Sequence, residues 1–424
     1  MKKVKNYLLF WFGQAVSQLG SAMTGFALTI WVFKQTGSAM SVSLLSFCTF
    51  IPYVLVSVFA GGFIDKHSKK VILILSDTIA AICTVVIFIY ILTNSLSIWQ
   101  IYLVNTIGGF VSAFQSPTSF IVTGLLVPKE QYDRASGLNS FSFNLVTVVA
   151  PVLAGMFMAF AGLKMVLLVD LLSFLFAVGT LLLVVIKEPV RQDNRSTVKP
   201  FDGLQDGWTF LKQNKGILYI IISMALINFF SRLTYENILS PMILSRSNGN
   251  STVYGVVSGV LGIGGIIGGV WVTAGRKKPP IKMIYFSAAI SFLLGDLLMG
   301  AGQNLWLWCI AGLAASVPIP FIMAGQNVIL YQLVPTQIQG RVIALRNAVQ
   351  YSTIPVGILL GGYLADYVFE PFLASKHIVS AMLSRIVGNG PGSGMAVMFL
   401  FTGILGSTFS CLAYKNKYIK QLKA

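Results

Sequence analysis

Four carboxylates interrupt stretches that are otherwise apolar: Asp77, Asp170, Glu236 and Asp296. An acid inside hydrocarbon is costly as an anion, so such groups mark proton relays, ion paths or paired structural charges. A group that prefers its neutral form there suits the loading and release of a proton. Glu236 stands one helical turn past Arg232. The pair reads either as a proton-coupling element or as a static intrahelical salt bridge. Asp170 has no cation close by in sequence and lies about 9 Å from the outer end of its apolar run by helical rise. It is the second proton candidate. Asp77 and Asp296 fall nearer the ends of their runs, where a side chain can snorkel to water, and structural roles are expected for them.

Uncharged polar residues recur at helical spacing in the same runs. Gln14, Ser17, Gln18, Ser21 and Thr24 form one stripe, and Asn228, Ser231, Arg232, Tyr235 and Glu236 form another. Weaker stripes hold Asn105, Ser112, Gln115 and Ser119; then Gln326, Asn327 and Gln332; then Asn347, Gln350 and Tyr351. Such stripes line a polar cavity or serve as hydrogen-bonding glue between helices. The candidate cavity residues are Gln14, Gln18, Gln115, Asn228, Tyr235, Gln326, Asn327 and Gln350. Other chemistries find little support. The two histidines, His67 and His377, lie in connecting segments, and neither H-E-x-x-H nor G-x-S-x-G occurs, against a membrane-embedded enzyme. Cys48, Cys83, Cys309 and Cys411 stand singly and imply neither a disulfide framework nor a metal site. No cofactor is expected.

The elements that must position these residues are membrane spans. The chain has 424 residues, 55% hydrophobic and 10% charged, with mean hydropathy +0.79. That excludes a soluble globular domain. Runs of about 20 residues or more, enough to cross the bilayer, occur at roughly 7–33, 40–64, 71–92, 98–125, 138–161, 165–186, 217–244, 253–274, 281–301, 305–330, 342–367 and 395–414. The net charge of +17 does not point to nucleic acid, because Lys and Arg are spread over alternate connections. With both termini cytoplasmic, the inner side takes most of them, and the outer loops keep only Lys34, Lys164, Arg246, Lys376 and Arg385. The apolar run after Met1-Lys2-Lys3-Val4-Lys5 is too long for a cleaved leader and reads as the first span.

The chain partly repeats itself at an offset of 207 residues. Gly61-Gly62 with Lys69-Lys70 falls on Gly268-Gly269 with Arg276-Lys277, and Leu126-Val127-Pro128 with Arg134 falls on Leu333-Val334-Pro335 with Arg341. Two pseudo-symmetric six-helix halves follow, with a site between them. The expected organisation is an N-terminal half over 1–188, a cytoplasmic linker over 189–215 and a C-terminal half over 216–424. Phe201, Leu204, Trp208 and Leu211 give the linker a short amphipathic helix at the membrane surface. The stretch from Phe369 to Gly394, ending in Gly388-Asn389-Gly390-Pro391-Gly392-Ser393-Gly394, reads as an irregular flexible connection rather than a phosphate loop. The glycines between Gly255 and Gly269 form a close helix-packing face.

Gly61-Gly62-Phe63-Ile64-Asp65-Lys66-His67-Ser68-Lys69-Lys70 resembles the signature loop of the major facilitator superfamily, G-x-L-x-D-[RK]-x-G-[RK]-[RK], with Ser68 at its second glycine. The resemblance implies an all-α polytopic fold of twelve transmembrane helices and a gating loop built on Gly61, Asp65, Lys69 and Lys70. Asp65 can accept from a neighbouring helix N-terminus while the lysines satisfy terminal carbonyls. The second half has Val272 where Asp65 maps, so its latch is weaker. Ala150-Pro151-Val152-Leu153-Ala154-Gly155 is similar to the G-P-x-x-G-G element of antiporter members, with alanine at two glycines. Ala113-Phe114-Gln115-Ser116-Pro117, Val127-Pro128-Lys129-Glu130-Gln131 and Leu364-Ala365-Asp366-Tyr367-Val368-Phe369-Glu370-Pro371 resemble the macrolide-efflux branch, which is bacterial and exports drugs against protons.

The sequence therefore reads as an exporter of a bulky amphipathic small molecule in a bacterial cytoplasmic membrane. It would work as a monomer by alternating access, driven by a proton gradient, with Glu236, Asp170 and Arg232 as coupling candidates. Rival readings keep the fold and change the cargo to a siderophore, a self-made peptide antibiotic or an inward-moving lysophospholipid. A non-transporting membrane sensor or receptor is the rival of another class.

Overall fold

The computed structural model describes residues 2–128, 131–186, 204–274, 279–335, 338–375 and 377–422. Every regular element among them is helical, as hydrocarbon demands of a chain that must satisfy its own backbone within each span. The chain forms two compact units. Unit 1 comprises Met1–Gln35 and Leu44–Pro200, and unit 2 comprises Thr36–Ser43 and Phe201–Ala424.

Unit 1 is built from α1 (Lys2–Thr36), α2 (Ala39–Lys66, whose first turn falls in unit 2), α3 (Lys69–Leu92), α4 (Ile98–Leu126), α5 (Tyr132–Phe160) and α6 (Gly162–Leu183). Each coincides with one expected apolar run. One core, around Tyr7, Phe10, Leu73, Val122 and Leu181, ties α1, α3, α4 and α6 together. Large side chains such as Phe120, Phe160 and Leu183 stay outward, the expected arrangement when the surrounding medium is as apolar as the core.

Unit 2 is less regular. Its first helix, α7 (Leu204–Gln213), is the amphipathic element of the linker; Phe201 and the rest of 187–203 lie outside the described residues. Leu211 is buried in a cluster with Ile217, Leu330 and Val342, so α7 docks on unit 2 rather than resting on lipid alone. Its Trp208 is half exposed beneath the Lys212 ammonium. The expected seventh span is not one helix. It divides into α8 (Lys215–Arg232), a turn, and α9 (Leu239–Arg246). Glu236 thus sits in the turn and not on a continuous helical stripe.

The helix α10 (Ser251–Ala274) follows, then a ninth span made of α11 (Pro280–Ile290), a π-helical stretch Ser291–Asp296 and α12 (Leu297–Ala301). The tenth is broken at Val317–Pro318 into α13 (Leu305–Ser316) and α14 (Ile319–Leu333). The eleventh is α15 (Gln339–Leu364) with a π-helical stretch Ala365–Phe369 and α16 (Glu370–Ala374). The supposed irregular connection holds a helix, α17 (Ile378–Val387), before α18 (Ser393–Tyr414) and the short α19 (Lys417–Lys420). Arg246 pins this region by donating to Gly302 O at 2.9 Å and to Val387 O. The glycine face of α10 packs as expected. A Cβ on Gly268 would meet Val317 O at 2.2 Å, whereas one on neighbouring Gly269 would meet nothing.

Among the described residues, eleven helical segments are long and apolar enough to cross a membrane. The remaining expected span coincides with α4, 29 residues long and carrying Asn105, Ser112, Gln115 and Ser119.

Candidate functional site

In unit 1 the stripe on α1 divides between two acids. Asp77, on α3, is only 3% exposed; Gln14 Nε2 donates to its Oδ2 at 3.3 Å and Gln115 Nε2, from α4, donates to its Oδ1. The carboxylate is enclosed among helices and does not snorkel. Carboxamide nitrogens can only donate, so both oxygens of Asp77 are held as acceptors.

Asp170, on α6, is likewise buried, but its partners are hydroxyls. Ser21 Oγ donates to Oδ1 at 3.3 Å and Thr84 Oγ1 donates to Oδ2 at 2.9 Å. A hydroxyl can turn and accept, so this shell accommodates Asp170 with or without a proton. Ser21 is itself exposed, which connects the acid to the surface of unit 1. Gly20 makes the arrangement possible. A Cβ there would stand 2.2 Å from Ser173 Oγ and 2.9 Å from Asp170 Oδ1, so any side chain would push α1 off α6. Gln18, from the same stripe, is exposed and joins neither acid.

The gating loop is partly visible. Lys70 Nζ donates to Leu182 O at 3.0 Å and to Val184 O at 2.9 Å, capping the end of α6, and Lys69 Nζ donates to His67 O at 3.1 Å. Gly61 and Asp65 belong to α2, but their surroundings lie outside the described set.

In unit 2, Arg232 and Glu236 form an ion pair whose side chains are 37% and 40% exposed. Both readings left open by the sequence, a coupling element and a static intrahelical bridge, contain this pair. Tyr235 turns away from it. Its ring packs edge-on against Phe399 at 5.3 Å, and its phenol lies beside Asp296. Asp296 closes the π-helical stretch and is 1% exposed, with Thr402 Oγ1 donating to its Oδ2 at 2.7 Å. The expected snorkelling therefore fails for Asp296 as well, because α18 covers it.

A second polar group forms where α14 meets α15. Arg346 donates to Asn327 Oδ1 at 3.2 Å and to Asn347 Oδ1 at 2.9 Å. Gln326 and Gln350 are buried, and among the described residues neither Nε2 has a hydrogen-bond partner. Buried donors left open in this way call for a water or a ligand. Asn228 is half-buried on α8.

Sequence reasoning missed several participants. Arg346 is one of them, and its position within the eleventh apolar run is the available signal. Thr84 gave no sign, because a lone threonine in an apolar helix is ordinary. Asn237, fully buried in the turn after α8, donates to Ile358 O at 2.7 Å and to Ser43 Oγ. Asp366 accepts from the amides of Ala39 at 3.0 Å and Met40 at 2.9 Å and from Ser38 Oγ at 2.6 Å, capping α2. An aspartate at the very end of the eleventh apolar run points to nothing so distant in sequence.

Comparison with known proteins completes this picture. The sequence profile of the Major Facilitator Superfamily matches residues 10–357. Macrolide efflux protein A of Streptococcus pyogenes is 28% identical over 378 residues, 86% of this chain and 92% of that protein. The staphyloferrin A transporter of Staphylococcus aureus is 24% identical over 365 residues, 85% and 88% of the two chains. Among solved structures, a bacterial homologue of the human lysosomal transporter Spinster superposes with TM-score 0.70 at 13% identity, covering 97% of each chain. A bacterial homologue of the iron transporter ferroportin gives 0.68 at 16% identity, covering 96% of this chain and 99% of that one. Fold, signature loop and relatives agree that this is a multi-pass membrane transporter and not an enzyme: the chain belongs to the major facilitator superfamily.

Proposed function

We propose that this protein exports a bulky, amphipathic, macrolide-like molecule from the bacterial cytoplasm by alternating access, in exchange for protons. Both termini are cytoplasmic in this reading, and the working unit is a monomer. The observation that carries the coupling is the hydroxyl shell of Asp170, since Ser21 and Thr84 can serve the acid in either protonation state. Asp77, clamped by two amide donors, and Glu236, paired with Arg232, are less suited to exchange a proton. The cargo class is supported by the similarity to macrolide efflux protein A along most of both chains.

A second reading gives the same machinery an anionic, siderophore-like cargo. It is favoured by Arg346, which has no carboxylate partner among the described ion pairs, and by the likeness to the staphyloferrin A transporter. Expression in an efflux-deficient host separates the two. Protection against a macrolide, lost on adding a protonophore, supports the first; unchanged susceptibility together with siderophore movement supports the second.

A further inference from the structure

Unit 2 carries a groove of about 810 Å³ on its surface, laid across α11. Phe286 borders it from α11, Cys411 from α18, and Trp271 of α10 and Phe321 of α14 meet edge-on along it with ring centroids 6.1 Å apart. The break at Val317–Pro318 contributes to the lining, so the depression sits where the tenth span changes direction. Its polarity is uneven. The body is apolar, whereas Lys282, in the first turn of α11, and Lys415, one residue past the end of α18, both border it and are both exposed. Among the described residues, no Asp or Glu lines it.

We infer that this groove is a binding site for a phospholipid with a negatively charged headgroup, its acyl chains lying along Trp271, Phe286 and Phe321 and its phosphate meeting Lys282 and Lys415. A concave apolar surface in a membrane span is filled by acyl chains. What selects one lipid over another is the charge at the mouth, and basic pockets between spans on the cytoplasmic side recognise anionic headgroups. The lysine end is the cytoplasmic end under the topology proposed above. The described residues that wall the groove all belong to unit 2, so the inference does not depend on which cargo is carried.

Cys411 provides the test. It is the exposed cysteine of the four, while Cys83 is buried and Cys48 and Cys309 are half-buried. The full-length protein carrying Cys48→Ser and Cys309→Ser is labelled at Cys411 with a maleimide in mixed micelles containing phosphatidylglycerol or phosphatidylcholine. Phosphatidylglycerol should slow labelling at far lower concentration than phosphatidylcholine. At about 1 kcal/mol per lysine, Lys282→Gln with Lys415→Gln should raise the half-protecting concentration of phosphatidylglycerol about 30-fold and leave that of phosphatidylcholine unchanged. Ala289→Phe, filling the groove while both lysines remain, should abolish lipid-dependent protection. Equal protection by the two lipids, or the same phosphatidylglycerol dependence with and without the lysines, overturns the inference.

Discussion

Asp170→Asn separates proton exchange from packing. In the native protein Thr84 Oγ1 lies 2.9 Å from Asp170 Oδ2 and 3.2 Å from Ala80 O, and Ser21 Oγ lies 3.3 Å from Oδ1. In the variant the new amide donates to Thr84 Oγ1, whose own proton passes to Ala80 O, and Ser21 still donates to the remaining oxygen. No buried group loses its hydrogen-bond partner, so stability should change by no more than about 1 kcal/mol. Asp170→Leu, by contrast, strips both hydroxyls of their partner and should cost about 1–3 kcal/mol. The effect of asparagine on transport should be much larger than its effect on folding. One pH unit is worth about 1.36 kcal/mol per proton, so one-for-one exchange sustains a cargo gradient of about tenfold. In everted membrane vesicles with a lumen one unit more acid, labelled macrolide should concentrate about tenfold with the native protein and not at all with Asp170→Asn, at equal thermal stability. A variant that folds and still concentrates the drug as the native protein does would refute the assignment.

Three further outcomes follow from the packing. Gly20→Ala forces a methyl to 2.2 Å from Ser173 Oγ and should cost about 1–3 kcal/mol through overpacking; thermal unfolding in detergent reads this, and Ser173→Gly should restore part of the loss. Asn237→Ala leaves Ile358 O and Ser43 Oγ buried without their donor and should destabilise by about 1–3 kcal/mol, with unaltered unfolding counting against a structural role for the turn after α8. Arg346→Gln should reduce movement of an anionic cargo more than that of a cationic macrolide, and an equal loss for both would place Arg346 in packing alone.

The length and apolarity of the runs made the span pattern legible in sequence, and the glycine face of α10 was legible because small residues at helical spacing allow little else. Breaks inside the runs were not. The stripe Asn228, Ser231, Arg232, Tyr235 and Glu236 keeps helical spacing through the end of α8, and nothing local announces that Leu233–Ile238 leaves the helix. The π-helical stretch ending at Asp296 is equally silent, since Ser291-Phe292-Leu293-Leu294-Gly295-Asp296 fits an α-helix in a span as readily as the wider turn. For the site, intramembrane cost correctly singled out the acids, but their environment depends on contacts across long separations. Gln14 and Gln115 reach Asp77 from 63 and 38 residues away. Position along a run suggested that Asp77 and Asp296 reach water, and helices packed over them prevent it. Nor could spacing show that Thr84 completes the shell of Asp170.

The central claim is exchange of cargo for protons, and reciprocal drive tests it most directly. Purified protein is reconstituted into vesicles with a trapped pH-sensitive dye, no imposed pH gradient and a potassium–valinomycin clamp, and an inward macrolide gradient is then applied. The account predicts that macrolide entry drives protons out, so the lumen becomes more alkaline in the native protein and stays constant with Asp170→Asn. Macrolide entry through the native protein with no change in lumenal pH would contradict it.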